Sequence, residues 1–134
     1  MNVTQAKNSS RSFHLACQRT LEQRQTSHGQ VEILMVPGVV CAAFSIELGI
    51  KAIALGEGTQ PTGHKLDKLF GTLSAPEQDA IKESIGLPNT DFQKELEAAA
   101  GAFEEWRYIY EGTETVSANL QFLQRFSSAV QSRL

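Results

Sequence analysis

Apolar positions along the chain recur every three or four residues, the spacing of amphipathic helices. Asn8-Ser9-Ser10 offers capping oxygens ahead of a first helix over about residues 10–26, with Phe13, Ala16, Cys17 and Leu21 on its apolar side. Residues 1–9 are then expected to be a disordered end. Ser27-His28-Gly29-Gln30 breaks this helix. The stretch from Val31 to Val36 is rich in β-branched residues. No partner strand is visible elsewhere, so a buried connector or a helical start is expected there. Pro37 suits the first turn of a second helix over about 37–56, apolar almost all round and therefore central.

Gly56 to Gly63 is dense in turn residues. Beyond it, Leu66, Leu69, Phe70 and Leu73 form one apolar face of a short third helix. Ser74, Pro76 and Glu77 mark the start of a fourth, running to about Ser84. After Gly86-Leu87-Pro88, Thr90 or Asp91 caps a long helix to about Glu111. Phe92, Leu96, Ala99, Phe103, Trp106 and Tyr110 make a heptad-like seam along it. Ser117 caps a last helix with Leu120, Leu123, Phe126, Val130 and Leu134 inward. Short connections between helices favour antiparallel neighbours. The pattern predicts a single all-α domain, an up-and-down bundle of four to six helices.

With 134 residues, 41% of them apolar, the chain can bury a core without disulfide or metal staples. Cys17 and Cys41 match no metal or redox spacing and read as small buried hydrophobes. No metal site and no cofactor are expected. The N-terminal stretch has no uninterrupted apolar core of a signal peptide. The longest apolar run, Ile33 to Phe44, is interrupted by Pro37 and Gly38 and falls short of the roughly 20 residues of a membrane span. A cytoplasmic protein without membrane association is expected. Net charge is −3, which excludes a uniformly basic nucleic-acid binder. The charge is uneven: residues 1–31 sum to +3, residues 74–115 to −7, and the last stretch to +2. The basic ends either are solvated helix faces or lie together as an anion-facing patch. The acidic 77–114 surface could serve a regulatory, antitoxin-like protein.

Three constellations carry candidate chemistry. Glu47 and Lys51 stand four apart on an otherwise apolar helix, either a surface ion pair or a polar notch at a helix seam. His64 lies at the entrance of the third helix, where it could accept a helix-end hydrogen bond or, protonated, hold an anion. Trp106-Arg107-Tyr108-Ile109-Tyr110-Glu111 places Arg107 one position off the aromatic seam. Its guanidinium can emerge between rings and grip phosphate, or pair with Glu111. There is no glycine-rich phosphate loop, no HExxH and no G-x-S-x-G, and the three histidines are scattered, so no catalytic residue is nominated.

Taken in order, Glu47-Leu48-Gly49-Ile50-Lys51-Ala52, then His64-Lys65-Leu66-Asp67-Lys68-Leu69, then Trp106-Arg107-Tyr108 resembles the HEPN family (higher eukaryotes and prokaryotes nucleotide-binding) over about residues 38–126. The resemblance implies a helical bundle that forms a homodimer, in a family of metal-independent ribonucleases, toxins of defence and toxin–antitoxin systems, and binders of nucleotides or proteins. Its nucleases are similar in carrying an Arg, then four to six intervening residues, then a His. After Arg107 those positions hold Gly112, Thr113 and Glu114, and none can titrate as histidine does. The expectation is a non-catalytic domain that recognises a nucleotide, RNA or a partner protein. Its binding candidates are Arg107, His64, Lys51, Glu47, Tyr110 and Glu111. The alternative is a divergent ribonuclease in which Arg107 steadies the phosphate and His64 comes from the second subunit.

Overall fold

The structure, a computed structural model, describes residues 1–32, 34–109 and 118–134. It is mostly helical. The helices are α1 (Val3–Thr20), α2 (Met35–Gly56), α3 (Leu66–Gly71), α4 (Ala75–Ile85), α5 (Asn89–Ala99), α6 (Ala102–Arg107) and α7 (Leu120–Gln131). The described residues are therefore all-α, apart from a two-stranded ribbon.

α1 starts well before the expected position, and residues 3–9 are helical rather than disordered. Asn2 is the cap: its side chain accepts the Gln5 backbone N–H at 2.8 Å. Ser10 sits in mid-helix, buried, and spends its hydroxyl on the neighbouring helix instead of a cap. α1 also ends early, at Thr20, because Arg24–Gln25 (β1) pairs antiparallel with Val31–Glu32 (β2). A buried connector at 31–36 is thus corrected. The missing partner strand lay only six residues upstream, across a turn closed by Thr26 and Gln30. Val31, Leu34 and Met35 are exposed, although the helical start holds from Met35 onward.

α2 is the hub. α1, α3, α6 and α7 all pack on it. It runs unbroken through Pro37 and Gly38, since Pro37 falls in the first turn where its missing N–H costs nothing. By length and composition it could cross a bilayer, yet 72% of its most apolar window is buried within the protein. α1 is antiparallel to α2: Ser10 meets Ser45 midway along both, and Leu21, just past the end of α1, meets Gly38 near the start of α2. α7 is parallel to α2, with Ser127 beside Ser45 and Val130 beside Gly49. α5 in turn runs antiparallel to α7, with Phe92 beside Phe126 and Ala99 beside Ala118, so α1, α2, α5 and α7 alternate in direction.

The expected long helix over 90–111 is two helices. Ala100 C=O accepts the Leu66 N–H at 3.0 Å, and this tertiary bond competes with helix continuation. Gly101 lowers the cost of the break, and a Cβ there would lie 2.6 Å from Glu105 Oε1. Phe92, Leu96 and Phe103 of the seam are buried; Ala99 and Trp106 are half-buried. Tyr110, Glu111 and Ser117 lie outside the described residues, and Asn119 caps α7 through the Phe122 N–H at 3.0 Å. The core includes an aromatic cluster in which Phe92 and Phe126 each meet Phe70, Phe122 and one another.

Where α1, α2 and α7 meet, a Cβ on Gly49 would stand 2.3 Å from Val130 Cγ1 and 2.8 Å from Ser10 Oγ. Only glycine permits this approach. The same seam holds a directional hydroxyl chain. Ser45 Oγ donates to Ser10 C=O at 2.8 Å, and Ser127 Oγ donates to Ser45 Oγ at 3.2 Å. Ser127 must then accept from His14 Nδ1, 2.8 Å away. Burial, and next the charge of Arg11, push the His14 pKa below its ordinary value. Below about pH 6.5 the unfolded chain takes up this proton before the folded one does. Stability is therefore expected to fall as pH drops from about 6.5 through the depressed folded value. Urea denaturation at about pH 7.5 and about pH 5.5 tests it, because His14→Asn keeps a donor for Ser127 but cannot titrate and should shrink the loss.

Candidate functional site

The functional candidates converge on one end of α2. Glu47 is 1% exposed, far inside for a carboxylate. Its Oε1 accepts from Lys51 Nζ at 2.8 Å and from His64 Nδ1 at 2.9 Å. The Glu47–Lys51 pair is thus a buried notch between helices and not a surface bridge. Helical spacing brings Lys51 one turn along α2. Gly63, at φ +93, turns the loop so that His64 folds back over α2. His64 does not accept a helix-end hydrogen bond, as its Nδ1 is committed to Glu47. Its side chain is 48% exposed. With Nδ1 carrying the proton shared with the carboxylate, Nε2 is the nitrogen left for a ligand.

The Leu66–Ala100 bond that interrupts the helix also sets α6 beside His64. Phe103 of α6 stacks on Phe44 of α2 with centroids 4.6 Å apart, and Phe44 in turn meets Phe13 of α1 at 4.5 Å. The His64 ring lies 5.9 Å from Phe103. Arg107 extends the stack: its Cζ is 4.6 Å from the Phe103 centroid and 4.5 Å from that of Tyr108. The guanidinium does emerge between aromatic rings, those of Phe103 and Tyr108. A guanidinium flanked by ring faces keeps its N–H edge for a planar anion such as phosphate or carboxylate.

Glu47, Lys51, His64 and Arg107 therefore belong to one neighbourhood, and Tyr110 and Glu111 fall outside the described residues. The sequence reading missed Phe44, Phe103 and Tyr108 as site components. Phe44, one turn before Glu47, and Phe103, one turn before Arg107, were the available signals. Two buried polar atoms, Glu47 Oε2 and Trp106 Nε1, have no hydrogen-bond partner among the described residues.

The basic chain ends do approach each other, with Lys7 Nζ 3.4 Å from Leu134 O. Arg133, however, forms a two-pronged bridge to Glu77 at 2.8 and 3.0 Å, which spends its charge internally. That hydrogen bond lowers the Glu77 pKa. Burial, and then proximity to Cys41, push the Cys17 thiol up to about 11, so it stays neutral at physiological pH. No group of metal-binding side chains occurs among the described residues. No family model, curated protein or solved structure matches the chain.

Proposed function

We propose that the chain is a HEPN-like binding domain without catalytic activity. Its ligand is a nucleotide or RNA, held at the face formed by Arg107, His64 and Lys51. The carrying observation is the Arg107 guanidinium between the Phe103 and Tyr108 rings, with His64, anchored by a buried carboxylate, beside the same Phe103 ring. Aromatic-flanked arginine suits a ligand with phosphates and planar bases. The homodimer in this reading rests on the family resemblance and is checked by light scattering. Calorimetry against nucleotides and short RNAs tests the site. Arg107→Ala is expected to weaken binding about tenfold or more, the scale of one charge-assisted hydrogen-bonded contact. Undiminished binding by the Arg107→Ala, Lys51→Ala double variant would overturn the assignment.

A second reading, a metal-independent ribonuclease, is favoured by one specific feature. His64 has Nδ1 fixed by Glu47, as a general base requires. In this reading Arg107 steadies the phosphate and His64 comes from the second subunit. Cleavage of labelled RNA in EDTA that disappears in His64→Ala would decide for this alternative.

A further inference from the structure

Beside Lys51, on the loop side of His64, the surface sinks into a hollow of about 200 Å³. We infer that this hollow seats the base of the bound nucleotide and prefers a base with a ring carbonyl where cytosine and adenine carry an amino group. The inference rests on the nucleotide reading of the Arg107 face. Size is the first argument. Pockets for whole drug-sized ligands occupy about 300–1,000 Å³, so this one holds a fragment such as a single ring system. Wall chemistry is the second. Met1, Leu55 and Pro61 supply apolar surface, and Lys51, Gln60 and Thr62 supply polar groups. The Lys51 ammonium is already matched by the buried Glu47 carboxylate. A flat ring with a polar edge fits these mixed walls.

The donor balance sets the preference. Lys51 has three N–H donors and no acceptor. Glu47 takes one donor, and no second acceptor reaches the ammonium among the described residues. Gln60 and Thr62 can each donate or accept, so they adapt to either base edge. Lys51 cannot, and it favours a carbonyl oxygen over an amino group at the same place. Gly63 lines the hollow and His64, its neighbour, faces Phe103. His64 thus joins the hollow, through Gly63, to Phe103 of the Arg107 stack, and in this inference the base sits in the hollow and the phosphate at Arg107.

Calorimetric titration of UMP, CMP, GMP and AMP tests this. UMP and GMP are expected to bind about tenfold tighter than CMP and AMP, since an amino group facing Lys51 leaves its donor unpaired. Leu55→Trp fills the hollow and should abolish that ordering, whereas Arg107→Ala should weaken all four and preserve it. Leu55 methyl resonances of the wild-type protein should shift on UMP addition, a readout independent of how the Trp variant folds. Equal affinities with intact Arg107 dependence, a preference for CMP or AMP, or unmoved Leu55 methyls would overturn the base pocket while the Arg107 site stands. No binding of any of the four would overturn both.

Discussion

Lys51→Met lowers the unfolding free energy by about 3–5 kcal/mol, the cost of leaving a buried charge without its partner. The substitution keeps the aliphatic stem against α2 and deletes only the ammonium. Glu47 then stays inside with one donor in place of two, while its Oε2 has no partner among the described residues to compensate. His64 still donates, which places the loss toward the lower figure. Urea denaturation monitored by circular dichroism measures it. The double variant Glu47→Leu, Lys51→Met discriminates between causes. Replacing both members of a buried pair by apolar groups is often neutral or stabilising, so most of the lost stability should return. The same double variant frees the His64 ring. A stable protein with weakened nucleotide binding is therefore the expected pairing, and it separates the pair's cost to folding from its service to the site.

Phe126→Ala is expected to cost about 3–5 kcal/mol, the range for emptying a fully buried aromatic site. Phe126 has no exposed surface, and its ring lies 5.6 Å from Phe122, 5.9 Å from Phe70 and 6.1 Å from Phe92. These rings come from α3, α5 and α7, so the cavity would open where three elements meet and no single helix could shift to close it. The urea midpoint should fall with little change in slope, because the surface exposed on unfolding is nearly the same. Phe126→Leu refills most of the volume and should lose much less.

Much of the core was legible in the sequence because it followed from periodicity. Leu66, Leu69, Phe70 and Leu73 are all buried, as the spacing required, and Ser74 stands at the N-cap of α4. What escaped were features decided by partners distant in the chain. The break at Gly101 depends on Leu66 donating to Ala100, which no local pattern announces. The ribbon from Arg24 to Glu32 is too short for an alternation to register. Ser10 read as a cap, yet it and Ser45 hydrogen-bond each other's helices across the most crowded seam. At the site, the Glu47–Lys51 spacing was readable, but its burial was not. Nor did the sequence indicate that His64 would return to the same carboxylate, because a loop conformation at Gly63 decides that.

Trp106 is the sole tryptophan of the chain and sits half-buried on α6, directly before the arginine of the stack. Its emission therefore comes from one known position beside the proposed ligand face. The intrinsic fluorescence of the untagged protein is a built-in optical probe for occupancy there, readable in real time without labelling any residue.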